Sequence, residues 1–284
     1  MKKTILILVA AYLLSVPTFA QLQLDSLQAN RLVTRTTMYG VGYTNIYDTY
    51  LSPVEYTGIE ARISRETIRM TKLFDGNVSA QSFFQANLAY TENKSETNNT
   101  FSGLVNWNYA LHYRFPINDN LKILAGGLGE VNGGFVYNLR NTNNPASAKA
   151  YINLGASGMI IYRMKFKNYP VTWRYQANIP FVGLMFSPNY GQSYYEIFSL
   201  KNHDNIVQFT SLHNQPSIRQ MLSADLPIGS AKLRISYLWD VQQSKVNQLK
   251  THTYSHIVMF GFVKELYKIP NKEREALPAN LKAY

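Results

Sequence analysis

The sequence predicts an all-β fold: a single transmembrane antiparallel up-and-down β-barrel of ten or twelve strands, with twelve favoured. Three observations lead to this prediction. Long segments alternate apolar and polar side chains, the apolar positions are rich in aromatic residues, and the chain begins with the pattern of an export signal. Aromatic residues make up 13% of the 284 residues, with 21 Tyr, and only 16% are charged. A typical soluble domain carries roughly 25% charged residues.

Residues 1–20 are predicted to be a signal peptide. Lys2 and Lys3 form a basic start, an apolar stretch follows, and Ala20 ends a small-residue cleavage motif. The apolar stretch is shorter than the ~20 residues that a transmembrane helix needs. Cleavage removes two lysines, so the formal net charge falls from +11 to +9.

Alternation with a period of two residues is clearest between Phe101 and Phe115. One set of alternate residues, or parity, is apolar or glycine and includes Trp107 and Tyr109, while the other parity is mostly polar. Strands average ~5–6 residues, so this length is typical of a membrane barrel whose apolar parity faces lipid and whose polar parity faces the lumen. A soluble antiparallel sandwich also alternates, with its apolar face inward. Strand length, aromatic content and charges on the polar parity favour the membrane barrel. The candidate strands are 38–46, 54–69, 78–91, 101–115, 121–137, 149–164, 171–187, 206–226, 231–247 and 251–266.

Two uncertainties affect the strand count. The segment 206–226 is long enough for two strands, and Tyr194–Leu200 is a candidate for another short one. The barrel is predicted to span 38–266, after an N-terminal periplasmic segment at 21–37 and before a polar C-terminal tail at 267–284. Short connections alternate with long polar ones, which is typical of periplasmic turns and extracellular loops. The short ones are Pro116–Asn120, Lys167–Pro170 and Pro227–Ser230; the long ones are Glu92–Thr100, Leu139–Lys149 and Pro188–Asn205.

Charged residues on the polar parity are predicted to face the lumen. One interpretation is a network of paired charges that fills the barrel; the other is a small pore or pocket whose surplus of Arg and Lys favours anions. Evenly spaced Trp107, Trp173 and Trp239 are interpreted as one aromatic girdle at similar depth. The predicted lumenal set is Glu60, Arg62, Glu66, Arg114, Lys122, Glu130, Arg174, Asp225, Arg234 and Asp240.

The stretches Trp173–Phe198 and Tyr254–Phe262 resemble a Bacteroidetes-type family of uncharacterised outer-membrane β-barrels, a domain of unknown function. The resemblance implies a barrel in the bacterial outer membrane. It implies no catalytic residues.

Few residues suggest chemistry. Without Cys, thiolate zinc sites, disulfides and cysteine nucleophiles are excluded. Ser211 and His213, near Asn214, form a candidate nucleophile–base pair; the alternative interpretation is an ordinary lumenal or loop pair. Ser255 and His256 are expected to point to opposite faces. The scattered histidines, including the loop pair His203-Asp204, show no metal-ligand spacing. No cofactor is indicated, and the glycines of 125–134 lie in a strand pattern that predicts close backbone approach or a bulge.

The first functional hypothesis is a non-enzymatic outer-membrane barrel: a small porin-like channel or ligand-binding barrel, or an accessory subunit of the cell envelope beside other envelope proteins. The alternative is a barrel enzyme that modifies outer-leaflet lipids. The net positive charge lacks the basic run with interleaved aromatics that nucleic-acid binding needs. Anionic lipid headgroups or lipopolysaccharide phosphates are the preferred partners of Lys149, Lys165, Lys167 and Lys201.

Overall fold

A computed structural model of the protein describes residues 32–142, 144–167, 169–228 and 231–267. The predicted signal peptide, residues 21–31 of the predicted N-terminal segment and the tail after residue 267 lie outside these ranges. No helix in the described part of the chain is long and apolar enough to span a membrane. The elements are β1 (Leu32–Asp48), β2 (Tyr56–Met70), β3 (Val78–Asn93), β4 (Asn99–Pro116), β5 (Leu121–Asn138), β6 (Ala146–Phe166), β7 (Tyr169–Phe186), α1 (Tyr194–Phe198), β8 (Val207–Ser211), β9 (Ile218–Ile228), β10 (Ala231–Val246) and β11 (Leu249–Tyr267).

The strands form one closed antiparallel barrel. Each strand from β1 to β7 pairs with the next, and β1 closes the sheet by pairing with β11 along its whole length, from Leu32 opposite Tyr267 to Asp48 opposite Thr251. Strands β8 and β9 share a single position beside β7, which pairs with β8 near one end and with β9 near the other. The described barrel therefore has ten strand positions. Closure leaves no exposed edge, as a sheet in lipid requires.

The connections differ between the two barrel ends. At the end that holds the first residue of β1 and the last of β11, which we call the turn end, lie the connections 71–77 and 117–120, the last residue of β6 and the first of β7, and the last residue of β9 and the first of β10. At the opposite loop end they are 49–55, 94–98, 139–145, 187–206 and 247–248. The strands that flank each predicted short turn meet at the turn end, and those that flank each predicted long connection meet at the loop end. Residues 143, 168, 229 and 230 of these predicted segments lie outside the described ranges.

Burial along the strands is the reverse of that in a soluble protein. On β2, Glu60, Arg62 and Glu66 are buried, whereas Ile59 and Ile63 are exposed by 73% and 41%. The same alternation follows the other long strands. Exposed aliphatic and aromatic side chains around the outside, with polar groups enclosed, define a transmembrane barrel.

The structure corrects several details of the prediction. Strand β1 begins at Leu32 rather than at residue 38, so the predicted periplasmic segment is partly barrel wall. The segment 206–226 is divided into β8 and β9, and residues of Tyr194–Leu200 form α1 instead of a strand. In α1, the Ser193 side chain accepts a bond from the backbone N–H of Glu196, which caps the helix start. The prediction of ten or twelve strands is confirmed with ten strand positions, because β8 and β9 occupy one position and Tyr194–Phe198 forms a helix.

Several polar groups on the outer wall are bonded to an aromatic side chain of the neighbouring strand. The Trp107 indole N–H donates to the Ser82 hydroxyl (3.0 Å). Tyr237 bonds to His256 through its hydroxyl (2.6 Å), and Tyr175 donates to the Gln220 side chain (2.5 Å). These bonds satisfy polar groups that lipid cannot solvate.

Strand β5 contains glycines where the neighbouring strand approaches closely. A methyl group on Gly126 would lie 1.7 Å from the backbone oxygen of Leu111, whereas one on Gly133 would meet nothing within 4 Å. The prediction of close backbone approach therefore holds at Gly126 and not at Gly133.

The two glycines provide a matched test of this packing. We expect Gly126→Ala to lower the free energy of unfolding by about 3 kcal/mol, because the added methyl group must displace backbone. Gly133→Ala is expected to change it by less than about 1 kcal/mol. Urea unfolding of the detergent-folded protein, followed by the heat-dependent electrophoretic shift, measures both. Equal stability of the two variants would contradict the close approach.

Candidate functional site

The lumen near the turn end is filled by a group of charges that we call the lower tier: Glu66, Arg174, Arg234 and Asp225. Glu66 is fully buried and accepts bonds from Arg174 (2.7 Å) and from Arg234 (2.7 Å). Arg234 also donates through Nε and Nη2 to the two oxygens of Asp225 (2.6 and 2.7 Å). Two acids thus neutralise two arginines, with the bidentate geometry that guanidinium groups favour.

Neutral side chains extend the lower tier across the barrel. Gln81 donates to Glu66 (2.5 Å), and the amides of Gln81 and Gln176 bond to each other in both directions (2.9 and 2.8 Å). Ser157 bonds to the fully buried His112 (2.8 Å). These four residues are outside the predicted lumenal set, although they lie on the polar parity of their strands.

A second group of charges, the upper tier, lies nearer the loop end: Glu60, Arg62, Asp240, Arg219 and Glu130. Arg62 bonds to Glu60 (2.6 Å) and to Asp240 (2.8 Å). Arg219 bonds to Asp240 (3.2 Å) and to Glu130 (3.3 Å). Three acids face two arginines, so neither tier contains surplus positive charge.

An apolar layer separates the two tiers. Its members are the buried side chains of Met38, Phe83, Met221, Leu238, Ile257 and Met259. Phe83 lies on β3 between Gln81 of the lower level and Gln85, which bonds to Arg62 of the upper tier. Leu238 lies between Arg234 and Asp240 on β10. The lumen is therefore filled at three successive levels.

The placement of the predicted lumenal charges is mostly, but not completely, as expected. The tiers contain eight of the ten, whereas Arg114 and Lys122 make no ion pair among the described residues. Arg114 donates instead to the backbone oxygen of Gly76 near the turn end (3.2 Å). Arg219 was missed. Arg219 lies on the same face of β9 as Asp225, which would have indicated a lumenal position. The sequence does not show where β8 ends and β9 begins, so the parity of Arg219 could not be assigned.

Above the upper tier lies a cavity of about 60 Å³, which we call the vestibule. Its apolar lining includes Ile46, Leu104, Val136, Met185, Val246 and Leu249. Gln242 also lines it and donates to Asp240 (2.6 Å), so the upper tier forms its floor. Lys149 crosses the mouth to bond to Asp48 (2.6 Å). The prediction that Lys149 contacts lipid headgroups is therefore wrong, because its side chain points into the barrel.

The connections 49–55 and 187–206, which we call the lid, contact each other at the loop end, where Ser187 and Pro188 also line the vestibule. The Tyr50 hydroxyl donates to the backbone oxygen of Gln192 (3.0 Å), and the Tyr50 ring contacts Tyr194 of α1 edge-on, with centroids 5.5 Å apart. Tyr194 in turn stacks with Phe186 and Phe198. Burial, followed by the neighbouring Tyr194 and Asp48, raises the pKa of Tyr50 to about 12, so its hydroxyl keeps the proton that makes this bond.

Ser211 and His213, the candidate nucleophile–base pair, are hydrogen-bonded to each other at the end of β8. The neighbouring Leu212 is 46% exposed. Asn214 does not orient the imidazole: its Oδ1 accepts from the backbone N–H of Ser211 (2.7 Å), and its Nδ2 donates to the backbone oxygen of Phe209 (3.0 Å). The pair is present, but the third group of a triad is engaged elsewhere.

The remaining candidate residues lie apart. Ser255 points into the lumen and donates to Glu60 (2.6 Å), while His256 is outside, so the two face opposite sides as predicted. His203 and Asp204 lie in the exposed part of the lid. Within the described ranges, no group of three or more His, Asp or Glu residues is placed to hold a metal ion.

The three tryptophans are on the outer wall but not at one depth. Trp107, Trp173 and Trp239 are exposed by 48%, 40% and 41%. Trp173 is in register with Ala224, which pairs with Ile235, four residues nearer the turn end than Trp239 on β10. The prediction of a single girdle is wrong for this reason: Trp173 belongs to a separate aromatic level nearer the turn end.

Fold and lumen together define the class: a closed transmembrane β-barrel whose interior is packed with paired charges. The chain belongs to the family described as "Protein of unknown function (DUF3316)", which matches residues 4–273. No curated protein matches the chain significantly.

Solved structures of similar shape are bacterial barrels. The transport unit of the autotransporter AIDA-I from Escherichia coli is 9% identical, with 87% of this chain and 97% of that chain covered and a TM-score of 0.47. The outer membrane protease OmpT from Escherichia coli is 7% identical, with 84% and 97% covered and a TM-score of 0.44. Neisserial surface protein A is 12% identical, with 84% and 97% covered and a TM-score of 0.34. None of these likenesses transfers a residue role to this chain.

The lower tier predicts a specific stability effect. We expect Glu66→Gln to lower the free energy of unfolding by about 3–5 kcal/mol, because Arg174 and Arg234 lose a buried counter-charge. The matched control is Glu265→Gln, which breaks a pair with Lys232 whose side chains are 42% and 45% exposed. That change is expected to cost less than about 1 kcal/mol. Urea unfolding in detergent measures both, and equal effects would show that the tier is not a structural centre.

Proposed function

We propose that the protein is a non-enzymatic barrel of the bacterial outer membrane that conducts no ions and binds a small ligand in its loop-end vestibule. The observation that carries this proposal is the filled lumen. Two neutral or slightly acidic tiers and the apolar layer between them occupy the lumen of the described barrel at three successive levels, which supports a barrel closed to ions. Open porins instead keep a polar channel free of such contacts.

The outer-membrane location is supported by the exposed apolar wall and by the signal peptide predicted at residues 1–20. Lys165 and Lys167 follow the aromatic level near the turn end, and Lys201 lies in the loop-end lid. Each end thus offers basic groups to anionic headgroups, with Lys201 suited to lipopolysaccharide phosphates and the turn-end pair to phospholipids. A role beside other envelope proteins is compatible with this placement.

Planar-bilayer recording separates a binding barrel from a channel. The purified protein is expected to give no single-channel steps in about 1 M salt, where the Debye length is ~3 Å. Insertion is verified independently by protection of the protein from added protease. Reproducible steps from the unaltered protein would contradict the proposal, since they require a continuous path through both tiers.

A second candidate function, a lipid-modifying enzyme, is favoured by one observation: the bond between Ser211 and His213 beside the exposed Leu212. In that function Ser211 Oγ would attack the carbonyl carbon of a lipid ester while His213 takes the serine proton. The acyl C–O bond would break, His213 would return the proton to the departing alcohol, and water would then hydrolyse the acyl-serine to release the fatty acid. The engagement of Asn214 with the backbone argues against it.

Hydrolysis of a fluorescent phosphatidylethanolamine by the purified protein tests this candidate. Our proposal expects no fatty acid release. If fatty acid is released, the enzyme hypothesis requires Ser211→Ala to reduce the rate of release at least 100-fold. The control Ser82→Ala, on the outer wall of β3, is then expected to leave the rate unchanged. Release that survives Ser211→Ala would reject that serine as the nucleophile.

A further inference from the structure

The described barrel wall is interrupted along one seam, between β8 and β10. On one edge, β10 pairs with β11 up to Val246 opposite Leu249. On its other edge, the ladder with β9 stops at Val241 opposite Ile218, and β8 pairs only with β7. Residues 242–246 therefore have no partner strand on that side.

A short segment that joins β8 to β9 closes this seam with isolated bonds instead of a ladder. The backbone N–H of Lys245 donates to the backbone oxygen of Asn214 (2.7 Å). The backbone N–H of Gln243 donates to the Ser217 hydroxyl (3.2 Å). The Asn214 side chain holds the segment to β8 through its contact with Ser211. Few bonds, two of them through side chains, are easier to open than a continuous ladder.

The seam separates the vestibule from the outer apolar wall. Gln215, from the closing segment, and Val246, from the unpaired edge, both line the cavity. On the outside, Phe209 is 62% exposed and Leu212 is 46% exposed. The upper tier lies below the vestibule, and the lid with its Tyr50 contacts lies at the loop end. The seam is a part of the described wall beside the vestibule where no continuous ladder is present.

Building on the proposed vestibule site, we propose that the seam is a lateral entry through which the acyl chain of a membrane lipid reaches the vestibule. More of the exposed lining surface is apolar than polar, which suits a hydrocarbon chain. The polar part includes the amides of Gln215 and Gln242 and the mutually neutralised pair of Asp48 and Lys149. The cavity of about 60 Å³ exceeds the ~10–15 Å³ that one water needs, and it accommodates the end of a chain. The ion pair of Lys149 with Asp48 lies at the mouth, where it leaves the apolar lining free for this chain.

Because the chain contains no Cys, disulfide locks can be placed selectively. The double variant N214C/K245C joins the two residues that meet across the seam, and Y50C/Y194C locks the lid as the matched control. Each protein is placed in phosphatidylethanolamine–phosphatidylglycerol vesicles that contain a phospholipid with a diazirine near the end of its acyl chain. After illumination, mass spectrometry quantifies adducts on Met185 in the vestibule and on Phe209 outside.

We expect adducts on Met185 in the unaltered protein and a decrease of at least tenfold in oxidised N214C/K245C, reversed by reduction. Adducts on Phe209 remain constant, and the oxidised lid lock leaves those on Met185 unchanged. N214A, which lacks the side-chain contacts to β8, is expected to increase them about threefold. This variant keeps the test valid if the double variant fails to fold.

Two results would overturn the lateral entry. The first is a yield of Met185 adducts that stays the same as in the unaltered protein when the seam is locked and falls when the lid is locked. This result would mean that the acyl chain enters from the loop end. The vestibule would still bind a ligand, so the proposed function would stand. An absence of Met185 adducts in every variant would reject the acyl chain as the ligand. Failure of the proposed function itself is registered separately, as single-channel steps in bilayer recording.

Discussion

The structure depends on one constraint: charges enclosed in a narrow closed barrel must neutralise each other. Glu66 shows this most directly, because one fully buried carboxylate accepts bonds from both Arg174 and Arg234. A buried ion without its partner is strongly destabilising. Since the bonded side chains come from β2, β7 and β10, their pairing also fixes how distant parts of the wall face each other. The same contacts that hold the barrel together close its lumen.

That closure determines where function can reside. With two charged tiers and an apolar layer filling the interior, only the two rims and the outer wall remain accessible. The rim with long connections contains an enclosed space and an aromatic cover, while the other rim has short turns. Around most of the wall, continuous ladders separate lumen from lipid, and the division of one strand position into β8 and β9 is the exception. The most specialised features of the chain therefore lie close together.

Much of this architecture could be predicted from the sequence, because side-chain period two is a strong signal when one face meets lipid. The strand positions and the inward direction of Glu60, Arg62 and Glu66 follow from parity alone. Parity does not encode partners across the barrel, so Arg219 and the inward turn of Lys149 were missed. The depth of Trp173 also depends on strand register, which even spacing along the chain does not reveal.

The aromatic partners of polar groups on the outer wall have a consequence for assembly. Trp107 meets Ser82, and Tyr237 meets His256, only when neighbouring strands align in one way. A register shift of two residues would keep the apolar side chains on the outer face. It would, however, leave a hydroxyl or imidazole group on that face without its hydrogen-bond partner. These pairs thus favour one strand register over shifted registers that the alternating pattern by itself would tolerate.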